Sequence, residues 1–508
     1  MDTAHSYKSI YEYIKKNSLI HKKKTFFLSM NKSENLTYQN LIDFIDKFEI
    51  YLLKNNINSQ KKIIVIFDNS KLLTLLFLSI ISNNRVFVPI NPNAGREEIN
   101  YIIKKTNPSM VLIDDNLRFK FTYIRNKKFL KSEIFIKKIF KINNKNFLIK
   151  RKNTKLNKAQ ILFTSGSTGK PKGVVLTHQS MLENIFGIKN NLQLAKSENM
   201  RFLSTTPLYH NNGQFIPTLL PIIYGGSTST ISPETSLITF WPTCIQLKIH
   251  YSSVMATHIN YFNATNFYKK HFIKALFCGG AKLDKQAHKL FEKKFHTNVL
   301  CNYGLTETSS IACTEGLNNK LRKIGSVGKP LFNNEIKIKK IKMKNYGEIL
   351  IKGKNLFLEY INQKKLTNKI KINSWLKTGD LGYFDKKGFL YIKDRLDNMT
   401  IVSGENIYPS EIENHLSGLK EIKIGVVSSV TDNITQNKLI FIYEAKKKLK
   451  YEHFYNFFKS KISKFKIPKQ IYHVNELGLK EIPKAPNKKI LRSKLKKYLE
   501  EALVTKKL

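Results

Sequence analysis

Residues 161–173 read Ile-Leu-Phe-Thr-Ser-Gly-Ser-Thr-Gly-Lys-Pro-Lys-Gly, and this segment guides the interpretation of the whole chain. Three apolar residues at its start are typical of the end of a buried strand. The glycines that follow let backbone N–H groups turn toward a bound anion, while the hydroxyls add donors and the lysines add positive charge. The segment therefore predicts a loop that binds nucleotide phosphates, with contacts from Thr164, Ser165, Gly166, Ser167, Thr168, Gly169, Lys170 and Lys172.

A segment rich in serine and glycine is more often a flexible surface loop than a nucleotide site, so the spacing matters. A Walker loop places four residues between its glycines, whereas two residues separate Gly166 from Gly169 and a proline follows Lys170. The segment closely resembles the phosphate loop of the adenylate-forming superfamily, which includes acyl-CoA synthetases, peptide-synthetase adenylation domains and firefly luciferase. This resemblance implies that further motifs of the superfamily follow downstream in order.

Length and hydrophobic patterning predict an α/β protein of two or more domains. The 508 residues exceed the size of an ordinary single domain. Apolar segments at 63–67, 86–90 and 110–113 read as strands, and the apolar run at 72–81 reads as a core helix. This alternation predicts a sheet with crossover helices, whereas the lysine- and asparagine-rich residues 116–158 predict poorly constrained surface structure.

The net charge is strongly positive. With 87 Lys+Arg against 37 Asp+Glu, the formal charge of +50 favours nucleic-acid or anionic-membrane partners at first sight. The lysines are scattered along the chain, however, and no recognisable nucleic-acid module accompanies them. We therefore expect no specific nucleic-acid partner, although a non-catalytic basic homologue that associates with RNA or membranes stays open as an alternative.

Cysteine usage and hydropathy predict a cytoplasmic protein. No signal peptide is visible, and the ten-residue apolar run at 72–81 is shorter than the roughly 20 residues of a membrane span. We expect no transmembrane segment. Neither CxxC pairs nor the histidine spacing of a zinc site is present, so buried thiols in a reducing compartment are expected of Cys244, Cys278, Cys301 and Cys313.

The segment 302–308, Asn-Tyr-Gly-Leu-Thr-Glu-Thr, is the most specific of the downstream motifs. As the resemblance implies, Tyr303 offers its ring to adenine, Thr306 acts in catalysis through a hydroxyl on the α-phosphate, and Glu307 gives Mg²⁺ a hard oxygen ligand. A threonine–glutamate pair alone would indicate only a helix cap. The nucleotide contacts predicted in this segment are Asn302, Tyr303 and Gly304.

Glycines also follow an apolar segment in Phe-Cys-Gly-Gly-Ala at 277–281. Small residues there allow a flat group to approach the backbone. A simple strand-end turn explains them equally well. On the nucleotide-binding interpretation, the contacts to adenine or a substrate carboxylate come from Gly279, Gly280 and Ala281.

A ribose clamp and a hinge are implied by two later motifs. Asp380, in Thr-Gly-Asp, resembles the aspartate that accepts both ribose hydroxyls, and Arg395 resembles a ribose or phosphate contact. Asp397 falls where relatives place the hinge between two domains. The resemblance thus implies a large adenylation domain at 1–396 and a small, mobile α+β domain at 397–508.

Two further residues are assigned to the acyl pocket by resemblance. His210 follows Pro-Leu-Tyr and is predicted to gate the pocket without acid or base chemistry, although a lone histidine is usually structural. Thr257 ends Val-Met-Ala-Thr at 254–257, which resembles a pocket wall, and an ordinary buried strand explains that segment about as well. The apolar residues Tyr209, Phe215, Trp241 and Met255 favour a fatty or other hydrophobic acid.

The C-terminal motifs resemble those of CoA ligases. Residues 402–413 resemble the small-domain segment that forms one wall of the pantetheine tunnel, with Ser403 in place of a glycine. Its residues on the CoA side are Ser403, Gly404, Glu405 and Asn406. Residues 482–492 resemble the loop that carries the adenylation lysine, and the register favours Lys489. Lys488 replaces a family glycine and competes for that assignment.

Together these motifs imply an acyl-CoA synthetase that uses ATP, Mg²⁺ and coenzyme A. A carboxylate attacks ATP to give an acyl-adenylate and pyrophosphate, and the thiol of CoA then displaces AMP. The runner-up is a stand-alone adenylating enzyme that loads a separate acyl or peptidyl carrier protein.

Overall fold

The predicted alternation of strands and crossover helices is present. In the computed structural model, strands Lys62–Ile66, Val86–Pro89 and Met110–Asp114 pair in parallel. Helix Lys71–Ser82 connects the first two and is almost entirely buried. Ser70 begins that helix because its side chain accepts a hydrogen bond from the backbone N–H of Leu73. The structure describes residues 3–125, 127–143, 151, 153–164, 171–194, 199–265, 270–341, 345–398, 400–402, 405–419, 421–432, 436–459, 461–462, 466–484 and 490–504.

Two large sheets form the framework of the first part of the chain. Sheet A has nine strands in the order Lys329–Pro330, Cys313–Thr314, Asn298–Tyr303, Ala275–Cys278, Tyr251–Val254, Arg201–Ser204, Ser227–Thr230, Thr25–Phe27 and Leu36–Thr37. Sheet B has seven strands in the order Glu359–Tyr360, Lys172–Thr177, Lys158–Thr164, Val86–Pro89, Lys62–Ile66, Met110–Asp114 and Lys127–Leu130.

Smaller sheets follow in the later part of the chain. One five-stranded sheet contains Asn334–Lys340, Gly347–Gly353, Trp375–Phe384, Lys371–Ile372 and Leu390–Arg395. A hairpin pairs Thr400–Val402 with Glu405–Ile407. A three-stranded sheet has the order Ile422–Asp432, Gln436–Ala445 and Gln470–His473.

Helices cover these sheets. The α-helices besides Lys71–Ser82 are Ile10–Ile20, Tyr38–Lys54, Arg96–Thr106, Ser132–Phe140, His178–Leu192, Asn211–Gln214, Leu220–Tyr224, Ser236–Gln246, Ala256–Ala264, Lys285–Phe295, Lys364–Ile370, Pro409–Glu413, Tyr451–Lys459 and Arg492–Val504. Within the described ranges, none of the helices is long and apolar enough to cross a membrane.

The chain divides into two compact units. The first comprises Met1–Lys337, Leu350–Thr378 and Phe384–Tyr391, and the second comprises Ile338–Ile349, Gly379–Tyr383 and Ile392–Leu508. The first unit has hydrophobic clusters on both large sheets, and the second has its own clusters around the three-stranded sheet. The domain boundary at residues 396 and 397 stays a prediction, because a division into compact units does not locate a hinge.

The described residues between 116 and 143 are more ordered than their composition predicts. Strand Lys127–Leu130 extends sheet B in parallel with Met110–Asp114, and helix Ser132–Phe140 buries three apolar residues. The strand lies at the edge of its sheet and only Leu130 is buried. An edge strand of this kind leaves little hydrophobic pattern in the sequence, so its prediction as irregular surface was wrong there.

Candidate active site

Most of the predicted site residues in the first unit follow the carboxyl ends of parallel strands in sheet A. Strands Arg201–Ser204, Tyr251–Val254, Ala275–Cys278 and Asn298–Tyr303 run in parallel. In open α/β sheets, ligands bind in the crevice outside this edge. The residues that the fold brings to it are His210, Thr257, Gly279, Gly280, Ala281, Asn302, Tyr303, Gly304, Thr306 and Glu307.

The two glycines after strand Ala275–Cys278 are required by the backbone and its neighbours. A Cβ atom on Gly279 would lie 2.1 Å from Oδ1 of Asn302, so any larger residue there would displace the Asn302 side chain. Gly280 has a φ of +81°, which side chains rarely adopt, and a Cβ there would face open space. The amide Nδ2 of Asn302 is buried without a hydrogen-bond partner among the described residues. This end of the sheet is therefore shaped for close approach, with an amide donor beside it.

The strands that flank the phosphate loop are paired in register. Lys158–Thr164 and Lys172–Thr177 form an antiparallel hairpin in which Thr164 is the partner of Lys172. The predicted contacts Ser165, Gly166, Ser167, Thr168, Gly169 and Lys170 lie outside the described residues. The hairpin thus holds Thr164 and Lys172 at the two ends of the predicted loop.

Tyr360 connects the phosphate strand with the predicted metal ligand. Its backbone pairs with Val174 on the strand that begins at Lys172, and its hydroxyl donates to Oε1 of Glu307 at 2.5 Å. The Lys172 ammonium lies 5.9 Å from the centre of the Tyr360 ring. Lys172 and Glu307 are far apart in sequence, but the fold brings Lys172 over the ring of Tyr360 and Glu307 to its hydroxyl.

Glu307 suits a magnesium ion that is shared with a nucleotide. Across the part of the chain that the structure describes, no cluster of three or more histidine, cysteine, aspartate or glutamate side chains could hold a metal ion. Mg²⁺ commonly binds through one or two carboxylates together with substrate phosphates and water. A single half-buried carboxylate whose other oxygen is engaged by Tyr360 fits that mode of binding.

His210 is electrically neutral in the folded protein. Burial lowers the pKa of its imidazole to about 4, and the neighbouring Tyr209 ring lies 4.9 Å away in an edge-on arrangement. Burial, and then the negative charges of Asp68 and Glu234, raise the pKa of Tyr209. Neither side chain is charged near neutral pH, and the role of His210 at the acyl pocket stays a prediction.

The residues predicted to line the acyl pocket lie in different surroundings in the fold. Thr257 lies in the first turn of helix Ala256–Ala264 rather than in a strand, and its hydroxyl is buried without a hydrogen-bond partner among the described residues. Trp241 stacks on Phe295 within the hydrophobic core, and Phe215 is completely buried. The apolar residues that favoured a hydrophobic acid thus include core residues.

In the second unit, the two residues of the predicted ribose clamp contact each other. Arg395 donates from Nη1 to Oδ1 of Asp380 at 2.9 Å. Asp394 is occupied with the backbone, since its carboxylate accepts from the N–H groups of Arg395 and Ser410 and from the Asn398 amide. The role of Asp380 as the carboxylate that binds a ribose stays a prediction.

Three other predicted residues of the second unit lie in described secondary-structure elements. Asp397 lies in the 3₁₀ helix Leu396–Asn398. Glu405 and Asn406 lie on strand Glu405–Ile407, and Asn406 is the backbone partner of Ile401. The backbone N–H of Leu491 bonds the carbonyl of Pro483 at 2.9 Å. Outside the described residues lie Ser403, Gly404, Lys488 and Lys489.

The sequence analysis missed two residues that contact segments carrying predicted site residues. Asn69 donates to the carbonyls of Thr206 and Ile231, and its own carbonyl accepts from Leu208 N–H, so it fixes the turn that leads to His210. Its place just after a predicted strand was the available signal. Tyr360 lies in no recognised polar motif, and only the pairing of its strand reveals its contact with Glu307.

Comparison with known proteins identifies a family for the part of the chain that contains the phosphate loop and the 302–308 motif. A family model described as AMP-binding enzyme matches residues 15–361. The 2-succinylbenzoate–CoA ligase of Bacillus cytotoxicus is 33% identical over 350 residues, which are 67% of this chain and 70% of that protein. The ligase of the same name from Bacillus anthracis is 28% identical over 483 residues, or 92% of this chain and 95% of that protein.

The fold is shared with solved structures. The o-succinylbenzoate CoA synthetase (MenE) of Bacillus subtilis, in complex with the acyl-adenylate intermediate OSB-AMP, superposes with a TM-score of 0.85. The two are 24% identical, and the match covers 95% of this chain and 97% of that one. The predicted α/β architecture of the superfamily is confirmed.

Proposed function

This chain belongs to the AMP-binding enzyme family, and from that membership we propose that it is an AMP-forming ligase that joins 2-succinylbenzoate to coenzyme A. The substrate assignment rests on the 33% identity to a 2-succinylbenzoate–CoA ligase over 67% of this chain and 70% of that protein. Formation of an acyl-CoA by way of an acyl-adenylate is the reaction of this class. The proposal adds to this reaction class the identity of the acid, 2-succinylbenzoate.

The first half-reaction activates the acid. A carboxylate oxygen of the substrate attacks the α-phosphorus of ATP, the bond from that phosphorus to the oxygen bridging the β-phosphate breaks, and pyrophosphate leaves. Tyr303 supports the adenine, Asp380 accepts the ribose hydroxyls, and Thr306, Lys172 and the loop at 164–170 hold the phosphates. Glu307 would hold Mg²⁺ together with the nucleotide, and the ion would neutralise phosphate charge that otherwise repels the carboxylate. Lys489 stabilises charge on the transferring group.

The second half-reaction forms the thioester. The thiol of CoA gives up its proton to solvent and its sulfur attacks the acyl carbon of the adenylate. The carbon–oxygen bond to AMP breaks, and AMP leaves with the electron pair. Rotation about Asp397 withdraws Lys489 and presents the face that contains residues 403–406. Such gating keeps water away from the reactive adenylate between the two steps.

A fatty acid is the second candidate, and the chemistry of the two acids separates them. 2-Succinylbenzoate has an aromatic ring and a second carboxylate, whereas a fatty acid has a long apolar chain and no second charge. The buried Thr257 hydroxyl, which has no hydrogen-bond partner among the described residues, favours an acid with a second group that accepts hydrogen bonds. The core positions of Trp241 and Phe215 remove part of the support for a fatty acid.

AMP release tests the proposal directly. Purified protein is incubated with ATP and Mg²⁺ and with 2-succinylbenzoate, benzoate, hexanoate or palmitate, each with and without CoA, and the thioester is identified by mass spectrometry. We expect CoA-dependent AMP release with 2-succinylbenzoate and little with the others. Preference for palmitate or hexanoate would contradict the substrate assignment. Pyrophosphate exchange without CoA-dependent turnover would favour carrier-protein loading, and no activity with any acid would favour the non-catalytic alternative.

A further inference from the structure

Glu307 is held by one short segment through both its backbone and its side chain. The backbone N–H of Phe357 donates to the Glu307 carbonyl at 2.8 Å. Three residues later, the Tyr360 hydroxyl donates to Oε1 of the same residue at 2.5 Å. O–H···O⁻ bonds of this length are typical of a charge-assisted contact with a carboxylate. The orientation of the carboxylate is thus set by residues 357–360.

The phenol that makes this contact is itself held in place. Tyr360 is 4% exposed, its ring packs 5.0 Å from that of Phe357, and its backbone N–H donates to the Thr367 hydroxyl at 2.9 Å. Its strand pairs with Lys172–Thr177. A side chain locked by packing and pairing can orient a flexible glutamate, as a buried partner orients a metal ligand.

We propose that Tyr360 is a positioning residue that holds one oxygen of the Glu307 carboxylate so that the other is presented to the magnesium ion of bound Mg–ATP. The proposal rests on the proposed function only in taking ATP as the nucleotide and Glu307 as the metal ligand. It does not depend on the identity of the acid. If the hydrogen bond from Tyr360 to Glu307 only stabilised the fold, its loss would leave metal binding unchanged. A structural role and a positioning role therefore differ in a measurable quantity.

That quantity is the gain in ATP affinity that magnesium confers. Calorimetry gives the Kd of ATP in EDTA and in excess Mg²⁺. The Kd in EDTA divided by the Kd in Mg²⁺ reports metal binding without any catalytic turnover. Tyr360→Phe removes the hydroxyl and keeps the ring against Phe357. Because loss of a partner to a metal ligand typically weakens metal binding 10- to 100-fold, we expect the ratio to fall about tenfold or more. The Kd of ATP in EDTA should be unchanged.

Tyr38→Phe is the matched control. The Tyr38 hydroxyl is also buried and donates at 2.6 Å, but to the uncharged carbonyl of Gly226. This variant should keep the wild-type ratio. A second comparison guards against a general loss of stability in Tyr360→Phe. If Tyr360 acts through Glu307, adding Tyr360→Phe to Glu307→Gln causes no further fall in the ratio.

The outcomes separate the two proposals. An unchanged ratio in Tyr360→Phe, or an equal fall in the Glu307→Gln background, overturns the role of Tyr360. Wild-type protein that shows the magnesium effect but no turnover with 2-succinylbenzoate overturns the substrate assignment and leaves Tyr360 supported by its own variants. Wild-type protein whose ATP affinity is the same with and without Mg²⁺ overturns the role of Tyr360 whatever acid is used.

Discussion

Arg395 donates from Nη1 to Oδ1 of Asp380 at 2.9 Å, although the two residues are fifteen positions apart in the chain. The Asp380 side chain is 8% exposed and that of Arg395 is 36% exposed. The arginine therefore fixes one carboxylate oxygen of a nearly buried aspartate from the solvent side. An oriented carboxylate costs less entropy when it binds a diol, and this gives the pair a testable role in ribose recognition.

Replacing Asp380 with asparagine should weaken ATP binding and abolish recognition of the ribose hydroxyls. Hydrogen bonds to a charged group contribute about 1.5–3 kcal/mol, so the Kd of ATP should rise about 10- to 100-fold. Wild-type protein should prefer ATP to 2′,3′-dideoxy-ATP, and Asp380→Asn should bind both alike. A variant that keeps the wild-type preference would contradict the clamp.

Removing Lys489, the adenylation lysine of the proposed function, should impair only the first half-reaction. With Lys489→Ala, we expect acid-dependent pyrophosphate exchange to fall about 10²- to 10³-fold, the usual effect of losing one group that stabilises developing charge. Thioester formation from synthetic acyl-adenylate and CoA should change little. Lys488→Ala is the matched control, and the opposite result for the two variants would assign the role to Lys488.

Close backbone packing at Gly304 should make alanine destabilising. A Cβ atom there would lie 1.8 Å from the carbonyl oxygen of Ser310, which is backbone and cannot rotate away. Overpacking of this kind commonly costs about 1–3 kcal/mol or more, so Gly304→Ala should lower the midpoint of thermal unfolding and distort Tyr303 and Thr306. Gly95 has no atom within 4 Å of its ideal Cβ, and Gly95→Ala should unfold like the wild type.

The buried His178 should make the protein less stable in mild acid. Burial lowers the pKa of His178 to about 4, against about 6.5 in an unfolded chain. Between these values the unfolded state binds a proton that the folded state excludes. As the pH is lowered through this window, the free energy of unfolding should therefore decrease by about 1.4 kcal/mol per pH unit for this group.

Urea unfolding between pH 7 and pH 4.5 measures that contribution. Nδ1 of His178 accepts from the backbone N–H of Ile10 at 3.4 Å, and protonation of this nitrogen would break the contact. In His178→Gln the decline of the unfolding free energy with falling pH should be shallower than in the wild type. Parallel declines in the two proteins would show that the histidine does not contribute.

The motif order was sufficient to identify the family. The thirteen residues at 161–173 and the segment at 302–308 led to the adenylate-forming superfamily, and the family match over residues 15–361 confirms that interpretation. Local order also followed from pattern, since the apolar run at 72–81 forms the core helix Lys71–Ser82. The edge strand Lys127–Leu130 was missed because a single buried residue leaves no periodicity.

Sequence by itself determined the superfamily, the α/β class and the residue types of the site, because each motif is local and its chemistry depends on neighbours in the chain. Tertiary structure alone decided which motifs meet. The contact of Tyr360 with Glu307 spans 53 positions and that of Asn69 with Thr206 spans 137. Such contacts depend on strand order and register, which bring distant residues together. The contacting residues share no sequence motif from which their contact could be predicted.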